Sequence, residues 1–306
     1  MPIVSTSTSA FYERARTDLK DLRSQAETLQ SQLSSGQKLT RSSDNPVAAS
    51  RLRSLARLEK LSEIDATNAS RANADLNLAD AAMSDMADAL IRAQELATEA
   101  ANATLTDAQR TSIGQELEQI FGNLVALSNA RDSNGHALFG GESAGDAYSL
   151  DASGNALYVG TPGTSDLPLG EGQSVSRSMT GPQFLSFIDS NGNAADSLAT
   201  VKALASALQG GSSDPAGAAR EALGNLQSGL DALTTGQTVI GTRLAWIELT
   251  DNRRVDLQEL RQSEESEIGA TDIATTIATL QETLTVLEAS QASFTKLAGL
   301  TLFDHL

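Results

Sequence analysis

The stretch YERARTDLKDLRSQAETLQSQLSSG, from Tyr12 to Gly36, decides how the chain begins. Its apolar residues Tyr12, Ala15, Leu19, Leu22, Ala26, Leu29 and Leu33 follow one another in alternating steps of 3 and 4. Such steps line one seam of a helix, and sustained over several turns they predict a helical partner. Ser34-Ser35-Gly36 predicts the stop, because glycine accepts the left-handed backbone just past a helix end. A matching stripe closes the chain. Ile273, Ile277, Leu280, Leu284, Leu287, Gln291, Phe294 and Ala298 step by 4 and 3, with Gln291 interrupting the apolar line. The simplest arrangement is a hairpin-shaped chain whose first and last helices pair. Each seam is about 30–40 Å long at 1.5 Å per residue. A two-helix pair of that length is marginal alone, since helix nucleation is costly. The pair is therefore a candidate assembly element.

Proline and glycine divide what lies between. No proline occurs in 47–161 or 216–306, while eleven of the 23 glycines fall between Gly135 and Gly192. Two helix-rich flanks thus enclose a turn-rich middle. Asn45-Pro46 opens the second helix. Asn45 has a capping side chain, and Pro46 at the first helical position lacks an N–H that would have no partner there. This helix is expected to run to about Asn102. Leu76, Ala79, Met83, Met86, Leu90, Ala93, Ala97 and Ala100 mark one face, and Leu52, Leu61 and Ile64 a second. Its first half is thus expected to be contacted from two sides. Thr106 and Gln109 form a capping box for a third helix carrying Ile113, Leu117, Ile120, Leu124 and Leu127. Asn134-Gly135 predicts a tight turn, 147–150 and 155–159 a hairpin, and 175–179 another strand. Helix is expected again from Ala194. A long one after Pro215 carries Leu223, Leu226, Leu230, Leu233, Ile240, Leu244 and Ile247.

The chain has 306 residues and a formal charge of -17. Residues 1–60 hold ten Lys/Arg against six Asp/Glu, so the arm is mildly basic and the rest strongly acidic. No basic stripe exists to neutralise phosphates, which argues against nucleic acid and against an anionic membrane surface. There is no cysteine, hence no disulfide framework. The start lacks the basic and apolar regions of a Sec-type signal, and no apolar run is long enough to span a membrane.

Catalytic chemistry finds little footing. His136 and His305 are the only histidines, and neither has metal-ligand spacing. Ser35-x-x-Lys38 and Ser43-Asp44-Asn45 match two pieces of the serine β-lactamase signature, but no Lys-Thr-Gly follows. Asp44, Asn45 and Pro46 are better explained as helix-start chemistry. Acids such as Asp75 and Asp80 are expected on solvated helix faces. No catalytic residue, cofactor or metal is expected.

Several motifs occur in order. Ser34 to Leu39 followed by Ser42 to Ala49 resembles the N-terminal signature of the flagellin and hook-associated protein family. There Ser-Ser-Gly closes the first helix and Asp-Asp-Pro, here Asp44-Asn45-Pro46, opens the next. Arg131 to Gly141 resembles the segment leading into the outer domain of the member that joins hook to filament. The ending Leu300 to Leu306 is similar to that member too. Pro46 and this ending favour it over flagellin, the filament subunit, which is the alternative.

The resemblance implies a mainly α, flagellin-like fold of long antiparallel helices, with terminal coiled-coil helices and a small β-rich inserted domain. The expected division is 1–43 and 269–306 for the terminal helices, 44–135 and 194–268 for a helical domain, and 136–193 for the insert. The expected seams are Leu19, Leu22, Leu29 and Leu33 in the first helix, with Ile277, Leu280, Leu284, Leu287 and Phe294 in the last. The resemblance also implies a structural, non-enzymatic role at the hook-filament junction, outside the cell. It implies export by the flagellar type III apparatus and self-association in a ring. The implied partners are the preceding hook-associated protein, flagellin, and an export chaperone on the C-terminal helices.

Overall fold

The computed structural model describes residues 3–303, with side chains over 10–296. The side chains of Ala298 and of the 300–306 ending, His305 included, lie outside that description. In chain order the elements are α1 (Ile3–Ser35), α2 (Pro46–Ala100), α3 (Asp107–Ser128), β1 (Tyr148–Leu150), β2 (Ala156–Tyr158), β3 (Asp166–Gly170), β4 (Gln173–Ser176), α4 (Pro182–Leu185), β5 (Ser186–Ile188), β6 (Ala194–Asp196), α5 (Ser197–Ser206), a π-helical turn (Ala207–Gly211), α6 (Pro215–Gly269) and α7 (Ile273–Phe303). They form two compact units, Met1–Lys60 with Val255–Leu306, and Leu61–Arg254.

The larger unit, 61–254, holds the core. The α2 stripe from Leu76 to Ala100 expected from its spacing is fully buried at all eight positions. Facing it are Ile113, Leu117, Phe121 and Leu124 of α3, Leu198, Val201 and Leu204 of α5, and Leu226, Leu233 and Ile240 of α6. Burying one such side chain contributes about 1.5–3 kcal/mol. The capping box forms as its sequence requires. Gln109 N–H donates to Thr106 Oγ1 at 3.3 Å, and Thr106 N–H to Gln109 Oε1 at 2.9 Å. The face carrying Leu61 and Ile64 differs from expectation. These side chains are 47% and 57% exposed, so nothing in this unit covers them.

The middle contains three separate antiparallel two-stranded ribbons, β1–β2, β3–β4 and β5–β6. Strand β4 overlaps the expected 175–179 but ends at Ser176. Ala194 begins a strand, not a helix. It pairs with Ile188, and the helix starts only after Asp196, whose carboxylate accepts from Leu198 N–H at 2.9 Å. One loop design recurs at Asp132-Ser133-Asn134-Gly135-His136, Asp151-Ala152-Ser153-Gly154-Asn155 and Asp189-Ser190-Asn191-Gly192-Asn193. In each, an aspartate Oδ1 accepts from the N–H groups two and four residues on, at 2.7–2.9 Å. The glycine of each takes the positive φ that lets the chain reverse. Backbone hydrogen bonds hold the carboxyls of Asp151 and Asp189 below the usual carboxylate range.

Candidate assembly surface

Within the unit made of 1–60 and 255–306, α1 packs along α7. Helix α1 ends where its glycine predicts. Gly36 has φ 69°, and its N–H donates to Gln32 O at 2.9 Å. The connector after α1 is tied to the α6–α7 corner by Lys38 N–H to Gly269 O at 2.7 Å and Thr271 N–H to Gly36 O at 3.0 Å. These bonds fix the two helices in register at one end. Further along, the rings of Tyr12 and Phe294 meet edge to face, 5.5 Å apart. Such ring pairs contribute about 0.5–1.5 kcal/mol beyond their area.

The helix-start motif divides its tasks. Asn45 Oδ1 accepts from Ala48 N–H at 3.1 Å and caps α2, which begins at Pro46. Asp44 does not cap the helix. Its Oδ2 accepts from Arg41 N–H at 2.8 Å and Thr40 Oγ1 at 3.0 Å, closing the turn before it. The Arg41 N–H, then the Thr40 hydroxyl, hold this carboxyl below its usual range.

The α1 seam residues Leu19, Leu22, Leu29 and Leu33 are all half-buried, with Ala26 between them buried. On α7 the expected line splits. Leu280, Leu287 and Phe294 are half-buried, but Ile277 and Leu284 are each 42% exposed. Their places on the inward line are taken by the preceding residues, Thr276 at 9% and Thr283 at 6% exposure. The inward steps are therefore 276, 280, 283, 287, 290 and 294. A buried threonine is tolerable here because its hydroxyl can turn back on the helix: Thr283 Oγ1 donates to Thr279 O at 2.7 Å. The methyl then serves as the apolar contact. Helix α7 thus carries two adjacent lines, one against α1 and one uncovered, the latter including Ile273, Ile277 and Leu284. A groove of about 270 Å³ runs beside the pair, lined by Phe11, Ala15, Leu19, Leu22 and Phe294 among others.

Elsewhere, one acid departs from its expected solvated face. Asp75 is only 3% exposed. Arg177 Nη1 stands 3.9 Å from Asp75 Oδ2 and 3.9 Å from Asp132 Oδ2, and His136 Nδ1 is 3.7 Å from Asp132. Burial, then the Asp132 charge, push the Asp75 carboxyl up. Burial also acts on Asp132, but the N–H groups of His136 and Asn134 outweigh it and lower that carboxyl. The local sequence around Asp75 held no sign of this, because the arginine arrives from a hundred residues away. Among the described residues no group of three or more His, Cys, Asp or Glu is placed to hold a metal ion. No described helix is long and apolar enough to cross a membrane.

The family model for the bacterial flagellin N-terminal helical region matches residues 6–144, which takes in α1, α2, α3 and the connector motifs. Flagellar hook-associated protein 3 of Salmonella typhimurium is 25% identical over 313 residues, covering 97% of this chain and 98% of that one. The first part of the chain is thus similar to the helical region of flagellin, and nearly all of it to hook-associated protein 3. Flagellar hook-associated protein 3 of Escherichia coli is likewise 25% identical, over 97% of this chain and 98% of its own length. Among solved structures, a putative flagellar hook-associated protein from Vibrio parahaemolyticus superposes with a TM-score of 0.67. It is 20% identical and covers 74% of this chain and all of its own. Flagellar hook-associated protein-3 from Legionella pneumophila gives 0.64 at 16% identity, covering 71% of this chain and 98% of its own. These superpositions show that the chain shares their fold.

Proposed function

We propose that this chain is a structural protein of the bacterial flagellum that forms the junction between hook and filament. Its full-length relatives carry the name hook-associated protein 3. The observation that carries the reading is the double line on α7. A helix that turns threonines inward and leaves Ile277 and Leu284 outside is made to be covered twice, by α1 of its own chain and by further subunits. In this reading Leu19, Leu22, Leu29 and Leu33 register the subunit through Leu280, Leu287 and Phe294. Ile277 and Leu284 then meet neighbouring subunits in a ring. That ring joins the preceding hook-associated protein to flagellin, outside the cell. Export proceeds through the flagellar type III apparatus, with a chaperone shielding the uncovered line of α7. Domain limits near 43, 135, 193 and 268 accompany this reading. The role is structural, without catalysis.

The test uses the full chain and a strain lacking it. Loss of the gene product should leave hooks in place and shed flagellin into the medium. Leu22→Asp with Leu284→Asp should fail to restore swimming while residues 61–254 keep their helical circular dichroism. Restored swimming would overturn the assembly role of these lines. Long fibres formed by the purified chain alone would point instead to a filament subunit.

A further inference from the structure

A charge cluster joins α2 to the loop 132–136. Asp75 of α2 and Asp132 of the loop are 3% and 8% exposed. One cation serves both. Arg177 Nη1, just past β4, stands 3.9 Å from Asp75 Oδ2 and 3.9 Å from Asp132 Oδ2, beyond hydrogen-bond reach of either. On the loop side, His136 Nδ1 is 3.7 Å from Asp132 Oδ2. On the α2 side, the other charged group facing Asp75 is Arg71, which is exposed, so water and salt screen it. With His136 neutral, two buried carboxylates thus share one half-buried guanidinium, and one negative charge is left without a partner.

The loop is closed on itself. Asp132 Oδ1 accepts from Asn134 N–H at 2.8 Å and His136 N–H at 2.9 Å, and Asp132 N–H donates to His136 O at 2.9 Å. These bonds need nothing from α2, so the loop can tilt as one piece. They also keep Asp132 ionised, because they favour its charged form. A groove of about 510 Å³ separates the loop from the helix, lined by Thr67, Ser70, Arg71 and Asp75 on one wall and by Ser133 and Asn134 on the other. It gives the loop room to move and water a route to Asp75. The ribbon beyond stays anchored independently, since Asn129 Nδ2 donates to Tyr148 O at 2.9 Å and Asn129 Oδ1 accepts from Ala147 N–H at 2.8 Å.

We propose that Asp75, Asp132, His136 and Arg177 form a proton-operated latch, which holds the 132–136 loop against α2 while one proton is bound and lets it stand off once that proton leaves. Charge counting gives the direction. One proton, on Asp75 or on His136, makes the cluster neutral. Without it, two like charges face each other in a poorly solvated place, and separating them or admitting water lowers the energy. Burial and the Asp132 charge favour the proton on Asp75, while a charged His136 lets Asp75 stay ionised. The seated loop therefore binds the proton more tightly than the tilted loop, so acid closes the latch and alkali opens it. A histidine ordinarily changes charge between about pH 5 and 8, which sets the window. Opening widens the groove and exposes an acidic floor that the closed latch withholds.

The chain has no cysteine, so nitroxide labels go only where they are wanted. Ser70→Cys and Asn134→Cys place them at exposed positions on opposite walls of the groove. Pulsed electron paramagnetic resonance then measures the distance between labels in the full chain from pH 5 to pH 8, with circular dichroism checking that each variant keeps its helices. The labelled chain should give a short, narrow distance at pH 5 and a longer, broader one at pH 8. Asp75→Asn replaces the protonated carboxyl by a neutral group of the same shape, and the short distance should persist across the range. His136→Gln removes the second holder of the proton from an exposed position, so the midpoint of the change should move to lower pH. A distance indifferent to pH, an Asp75→Asn chain that lengthens as the parent does, or a midpoint unmoved by His136→Gln would overturn the latch.

Discussion

Two glycines of α6 give opposite expectations from one substitution. At Gly236 an added Cβ would lie 2.7 Å from Met83 Cε and 2.8 Å from Phe184 Cβ. Met83 could swing its terminal methyl aside, but the Phe184 Cβ is fixed by a ring buried against Phe139, with centroids 4.8 Å apart. At Gly224 a Cβ meets nothing within 4 Å. Replacing a helical glycine by alanine favours the helix by about 0.8–1 kcal/mol. Overpacking a filled core costs about 1–3 kcal/mol. Gly224→Ala should therefore stabilise by nearly 1 kcal/mol, and Gly236→Ala should be destabilising by up to about 2 kcal/mol after the helix gain is subtracted. For a unit of this size each kcal/mol moves the midpoint by about 2–4 °C. Thermal unfolding followed by circular dichroism should show Gly224→Ala melting above the parent and Gly236→Ala below it. If Gly236→Ala melted as high as Gly224→Ala, the close approach of α2, α4 and α6 would be refuted.

Asp75→Asn tests the buried pair through pH. A carboxyl raised in the folded state binds its proton more tightly there, so the parent gains stability as pH falls through that raised value and the gain is complete below the ordinary one. Relative to Asp75→Asn, the parent should thus look better at pH 4 than at pH 7 in urea melts; an equal difference at both would contradict the burial. Thr106→Ala removes one half of the capping box and should cost about 1 kcal/mol, read from the urea midpoint, while an unchanged midpoint would mean the cap is idle. Phe184→Ala empties a fully buried ring site and should cost about 3–5 kcal/mol, a large share of a typical stability; a loss under 1 kcal/mol would show that the site collapses or was never filled.

Long apolar stripes were legible in the sequence because their periodicity and their burial have the same cause. The stripe from Leu76 to Ala100 and the α1 seam needed only step counting, and Asn45, Thr106 and Gly36 announced helix ends through local hydrogen bonding and backbone freedom. On α7 the same counting favoured Ile277 and Leu284 over Thr276 and Thr283. Periodicity weighs residue type, whereas the inward line depends on where α1 lies and on a hydroxyl that bonds its own helix. Leu61 and Ile64 show the complementary limit: an apolar face predicts burial without saying by which molecule. Strands β3, β5 and β6 are short and carry Pro168 or flank Asp189-Ser190-Asn191-Gly192-Asn193, so their pairing rests on turn geometry instead of alternation. Asp75 was beyond reach because Arg177 belongs to a segment remote in sequence.

The three ribbons close around loops of a few residues, whereas Tyr12 meets Phe294 across nearly the whole chain. Closing a longer span costs more chain entropy, and nearby contacts form sooner. A polypeptide emerging gradually into solution would thus order its middle within the first moments and its extremities last. During that interval both extremities stay open to whatever molecule arrives first, and the slowest contact to form within the chain is the one most readily exchanged for a contact outside it.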